Sequence, residues 1–148
     1  MNAIATTTLR DLRDELPVVP RTPLVLLAED DARMRRLLAA ALRLDGFEVV
    51  EAKDGAELLE GIGNLILHPR DGRVVDLVIT DVRMPFTTGL DVVAGLRRAE
   101  WITPVIIITA FGDEATHAEA QRLGAVAVFD KPFDVNDLRI AALHHASK

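Results

Sequence analysis

The sequence predicts an α/β fold built on a parallel sheet, and three observations carry that prediction. Short, continuous apolar runs recur along the chain. Helical patterns fill the gaps between them, and acidic or hydroxyl residues follow several runs directly. At 148 residues the chain suits one domain. Hydrophobic residues make up 49% and charged residues 27%, which supports a buried core and excludes intrinsic disorder.

The elements follow in order. Leu24-Val25-Leu26-Leu27 is the first strand, apolar enough to be covered on both faces. Met34, Leu37, Leu38 and Ala41 recur at helical spacing and predict the first helix with those residues inward. Phe47-Glu48-Val49-Val50 is a weaker second strand. Asp54 stands three residues before Glu57, a capping box that opens a helix with Leu58, Leu59 and Ile62 inward. Gly61 and Gly63 weaken its far end. Leu77-Val78-Ile79 is the third strand, and Leu90, Val93 and Leu96 mark the next helix. Val105-Ile106-Ile107-Ile108 is the fourth strand, followed by a short helix over residues 115–121. Residues 125–129 form the fifth strand, and Asp134 caps a last helix with Leu138, Ala141 and Ala142 inward. Five such units imply a parallel sheet with right-handed crossovers and helices on both faces.

Residues 1–22 precede the pattern as an N-terminal extension, leaving 23–148 as the domain. Thr8-x-x-Asp11 with Leu9, Leu12 and Leu16 predicts a short capped helix stopped by Pro17, then an extended linker. So short a helix is marginal alone and lies loosely on the domain. The sharper reading is a docking or dimerisation segment. The stretch 65–73 is longer than most such connections and reads as a surface insertion that exposes His68. Trp101 covers the turn before Pro104. His144 and His145 are adjacent on a helix, where side chains diverge, and neither is assigned a role.

Composition removes several functions. A formal charge of −6 gives no general pull toward nucleic acid or an anionic membrane. The absence of cysteine excludes a disulfide framework and thiol chemistry, and fits a reducing cytoplasm. The apolar stretch 105–110 is too short to span a bilayer. No secretory signal opens the chain, so a cytoplasmic location is expected.

The chemistry lies at the strand ends. Glu29, Asp30 and Asp31 follow the first strand, Asp81 the third, Thr109 the fourth, and Lys131 the fifth. In a parallel sheet these carboxyl ends share one edge. Clustered carboxylates repel one another, and a hard divalent cation such as Mg²⁺ relieves that repulsion. Lys131 and Thr109 supply an ammonium and a hydroxyl suited to a phosphoryl oxygen, and a carboxylate is a competent nucleophile toward phosphorus. Asp31 alone reads better as a helix cap.

These segments, Leu27-Ala28-Glu29-Asp30-Asp31, Thr80-Asp81-Val82-Arg83-Met84-Pro85 with Gly89, Ile108-Thr109-Ala110 and Asp130-Lys131-Pro132-Phe133, resemble the receiver domain of two-component response regulators. The resemblance implies a flavodoxin-like, doubly wound, five-stranded parallel sheet of order 2-1-3-4-5 with five helices, as in the stand-alone receivers of chemotaxis. It implies that Asp81 accepts the phosphoryl group and that Thr109 and Lys131 contact it. Mg²⁺ would be held by Glu29, Asp30, Asp81 and the backbone carbonyl of Arg83. A cis Lys131-Pro132 peptide is expected. The domain would catalyse its own phosphoryl transfer from phosphohistidine and its own slow dephosphorylation, without being an enzyme in the ordinary sense. The implied partners are a histidine kinase or histidine phosphotransfer protein and an unidentified downstream protein, with a homodimer left open.

Three departures from the family pattern matter. Glu29 replaces the usual aspartate. Val128 stands where an aromatic switch residue is usual, with Phe129 beside it on the opposite face. Bulky Arg83 and Phe111 flank the phosphorylation site and are expected to shield an acyl phosphate from water, and Phe86 occupies a place where small residues are common. With the chain ending just after the last helix, output is expected through protein contact in a stand-alone domain. The alternative is a phosphorelay intermediate that passes its phosphoryl group to a histidine phosphotransfer protein. A dehalogenase-type phosphatase also uses a strand-end aspartate, but it needs an acid two residues on, where Arg83 stands.

Overall fold

A computed structural model describes residues 8–9, 21–68, 73–110 and 112–146. Five parallel strands, β1 (Leu24–Ala28), β2 (Glu48–Ala52), β3 (Val75–Asp81), β4 (Val105–Thr109) and β5 (Ala127–Asp130), stand in the order 2-1-3-4-5. Five α-helices alternate with them: α1 (Ala32–Leu44), α2 (Gly55–Ile62), α3 (Gly89–Arg98), α4 (Glu114–Arg122) and α5 (Val135–Ala146). This is the flavodoxin-like, doubly wound arrangement expected from the sequence.

Strand alternation divides the core into two layers. Leu24, Leu26, Val78, Val105 and Ile107 face α2, α3 and α4, meeting Leu58, Ile62, Val92, Val93 and Leu96. Val25, Leu27, Leu77, Ile79, Ile106 and Ile108 face α1 and α5, meeting Leu38, Leu42, Leu138 and Ala142. β1, β3 and β4 are buried along nearly their whole length, as their unbroken apolar runs require. The edge strand β2 exposes Glu48, and β5 is only partly covered.

Two helices turn differently from their expected faces. In α1 the buried residues are Leu38, Ala39 and Leu42, while Leu37 is 53% exposed. Arg35 takes a place toward the sheet instead, donating from Nη1 to the Glu29 carbonyl at 2.9 Å and pairing with Glu51 at 3.3 Å. In α2 Leu58 and Ile62 face the core but Leu59 is exposed, and Gly61 lies against Leu26. Beyond Ile62 the helix continues as a π-turn over Gly63–Leu67 that buries Ile66, so part of the expected insertion is structural. His68 is exposed. Residues 69–72, most of the extension over 1–22 and Phe111 lie outside the described residues.

The caps agree with the sequence. Asp31 accepts from the N–H groups of Arg33 and Met34, and Asp54 from Glu57. Glu57 bonds back to the Lys53 N–H at 2.9 Å, closing the capping box one residue early. His144 and His145 do not diverge: their rings meet edge-on with centroids 4.8 Å apart. Among the described residues no helix is long and apolar enough to cross a membrane.

Candidate functional site

Strand register brings the polar residues together. Ala28 pairs with Thr80, so Glu29 and Asp81, each one residue further on, leave adjacent strands side by side. Asp81 pairs with Ile108, and Thr109 with Asp130. The Lys131 N–H donates to the Thr109 carbonyl at 2.8 Å, continuing the ladder past β5. The Lys131-Pro132 peptide is cis, as expected. Every strand-end residue that the sequence singles out is therefore at one edge, with Asp31 set apart as the α1 cap.

The lysine ammonium joins the two inner carboxylates. Lys131 Nζ donates to Glu29 Oε1 at 2.5 Å and to Asp81 Oδ2 at 2.8 Å. Glu29 and Thr109 are fully buried or nearly so, Asp81 is 4% exposed, and Asp30 is exposed. Burial, then a hydrogen bond shared with Asp81, pushes the Glu29 carboxyl up to about 8, against the pull of Lys131. Burial also works against the Lys131 ammonium, yet its bonds to Asp81 and Glu29 outweigh it and raise its pKa above the ordinary lysine value.

The carboxylates also suit a hard cation. Oxygens of Glu29, Asp30 and Asp81 lie within 4.8 Å of one another. Glu29 Oε2 is buried with no hydrogen-bond partner among the described residues, an orphan that costs about 1–3 kcal/mol unless something binds it. An all-oxygen set with an unsatisfied buried oxygen fits Mg²⁺.

Residues around the cluster set its shape. The Gly89 N–H donates to the Val82 carbonyl at 2.8 Å, and a Cβ at Gly89 would collide with the Asp81 carbonyl. Gly89 thus lets α3 begin directly against the strand that carries Asp81. Arg83 is exposed, and its charge adds to the Thr116 hydrogen bonds that hold the Asp113 carboxyl low. Phe86 is 82% exposed with φ 80°, a conformation that bulky residues rarely adopt. On the far side, His117 of α4 meets Asp130 at 2.9 Å, and Gly112 passes so close to that carboxylate that no Cβ would fit.

Val128 packs on the layer with α3 and α4, while Phe129 faces the opposite layer, its ring 5.6 Å from that of Phe133. The expected opposition of these neighbours holds. Sequence reasoning missed Arg35 at the Glu29 carbonyl and the His117–Asp130 pair. The only sequence signal for the first was an arginine at an inward helical position.

Comparison with known proteins points the same way. A model of the response regulator receiver domain matches residues 25–143. The chain is 40% identical over 121 residues to the transcriptional regulatory protein PdtaR of Mycobacterium tuberculosis, covering 81% of this chain and 54% of that protein. It is 35% identical over 116 residues to the regulatory protein AtoC of Escherichia coli, covering 78% and 23%. The chain thus spans about half the length of these curated relatives, or less. The Francisella response regulator 1452 receiver domain superposes with a TM-score of 0.74 at 27% identity, covering 84% of this chain and 96% of that one. The HemR receiver domain of Leptospira biflexa gives 0.73 at 27% identity, covering 85% and 95%. By the extent of the family match and by its 2-1-3-4-5 sheet, the chain belongs to the receiver domains of two-component response regulators.

Proposed function

We propose that this receiver domain accepts a phosphoryl group on Asp81 from a phosphohistidine donor, either a histidine kinase or a histidine phosphotransfer protein, and signals through contact with another protein. The observation that carries the reading is the Lys131 ammonium held between Asp81 and Glu29 at the strand edge. A carboxylate oxygen of Asp81 attacks phosphorus, a P–O bond forms as the donor's P–N bond breaks, and the imidazole leaves. Lys131 neutralises charge developing on the phosphoryl oxygens, and the Thr109 hydroxyl donates to one of them. Glu29, Asp30, Asp81 and the Arg83 carbonyl would hold Mg²⁺, which supplies further charge neutralisation when bound. The net charge of −6 favours protein partners over nucleic acid.

The packing of Val128 supports a second reading. Val128 itself offers no ring to follow a moving Thr109. Weak coupling from site to surface suits a phosphorelay intermediate, which needs only to receive and return the group.

Beryllofluoride stands in for the acyl phosphate. With Mg²⁺ it should bind the wild type and not Asp81→Asn, and amide NMR shifts should mark the change. Shifts spreading from Thr109 into β5 support the switch, and shifts confined to the site support the relay. Absence of binding overturns both.

A further inference from the structure

The amino end of the sheet, opposite the carboxylates, carries an apolar patch. Val74 is 54% exposed, Ile102 89% and Trp101 37%. Two adjoining hollows of about 250 and 430 Å³ share Val75, Trp101 and Thr103 in their walls. The turn that presents these residues is held firmly. Arg97 donates to the Trp101 and Thr103 carbonyls at 2.8 and 3.0 Å, and to the Leu123 carbonyl at 2.8 Å.

The chain enters the fold at this patch. Arg21 forks onto Asp76 at 2.7 and 3.1 Å and reaches the Val74 carbonyl at 3.3 Å. The Leu24 N–H donates to the same Asp76 carboxylate at 2.8 Å. Val74 lines the smaller hollow and Asp76 the larger. Whatever precedes Arg21 is tethered beside both.

The preceding stretch carries a complementary face. In the sequence Leu9, Leu12 and Leu16 recur at helical spacing, and Leu9, which is among the described residues, is 77% exposed. A helix so short is marginal without an apolar partner. The linker 17–20 spans up to ~13 Å when extended, which puts the patch within reach. Tethering raises the local concentration of the segment to about millimolar, favouring this chain's own patch over that of another copy.

We propose that residues 8–16 dock their leucine face onto the patch formed by Val74, Trp101 and Ile102, as an intramolecular strap across the floor of the sheet. Trp101 is the single tryptophan, so its fluorescence reads the contact directly. Emission and acrylamide quenching are measured on the full chain, on a variant lacking residues 1–20, and on Leu12→Glu/Leu16→Glu. Far-UV circular dichroism checks the fold, and light scattering the mass. Both variants should shift emission to longer wavelength and raise the quenching constant about twofold, as a covered indole becomes open to water. Identical emission and quenching in all three proteins overturn the strap. A difference that grows with protein concentration together with a dimer mass also overturns it, since a second copy would then cover the patch.

Discussion

At the carboxyl end of the sheet Glu29 and Asp81 are buried with one ammonium between them, and the second Glu29 oxygen has no partner among the described residues. At the amino end Asp76 meets the exposed guanidinium of Arg21 in a two-pronged pair and also accepts the Leu24 N–H. The same residue type thus serves two purposes one strand length apart on β3. Asp76 is satisfied and fixes the entry of the chain, whereas Asp81 sits among groups whose charges only partly cancel. Under the proposed function, a site that binds a charged group is left short of partners, and the rest of the fold supplies the stability it lacks.

The largest effect that would break this contrast is on reactivity. Lys131→Met should slow acyl-phosphate formation from phosphoramidate, a small donor, by about 10²–10³-fold through loss of the positioned cation. Mass spectrometry of the phosphorylated protein measures the rate, and an unchanged rate removes Lys131 from the chemistry.

The next effect is on stability against pH. Glu29 has a pKa of about 8 in the fold, against an ordinary value of 4.5. Between these values the folded state holds a proton that the unfolded chain has lost. Without Mg²⁺, stability should therefore fall by a few kcal/mol as pH rises through this window and level off above it. Urea unfolding at several pH values in chelator checks the slope. Glu29→Gln should flatten it, and added Mg²⁺ should restore wild-type stability at the alkaline end.

The smallest effect compares two glycines of α3. Gly89→Ala drives a methyl into the Asp81 carbonyl and should cost about 1–3 kcal/mol. At Gly95, nearer the amino end, a Cβ meets only the tip of Arg98 at 3.8 Å. Gly95→Ala should stabilise by about 0.5–1 kcal/mol. Opposite shifts in Tm would sharpen the view that tight backbone approach is confined to the site end.

Apolar continuity located each strand within a few residues because a sheet covered on both faces leaves little room for polar positions. The strand-end residues were legible for the same reason, since parallel topology alone gathers them at one edge. Helix faces were less legible. Periodicity placed Leu37 inward, but the Glu29 carbonyl attracts Arg35, whose stem packs while its guanidinium bonds. Leu59 was misplaced because it adjoins Leu58 in the sequence and only Leu58 of the pair faces the core, and the π-turn that follows has no simple sequence mark. The Lys131 bridge to Glu29 joins residues 102 positions apart, which spacing alone does not reveal.

An ammonium has three protons to donate, and Lys131 uses two of them on Glu29 and Asp81. Among the described residues the third has no acceptor, and in the proposed reaction it would meet an oxygen arriving at Asp81. Such an oxygen would be met without either existing bond having to break first. Under the proposed function the lysine would therefore need almost no reorganisation to serve a third anion.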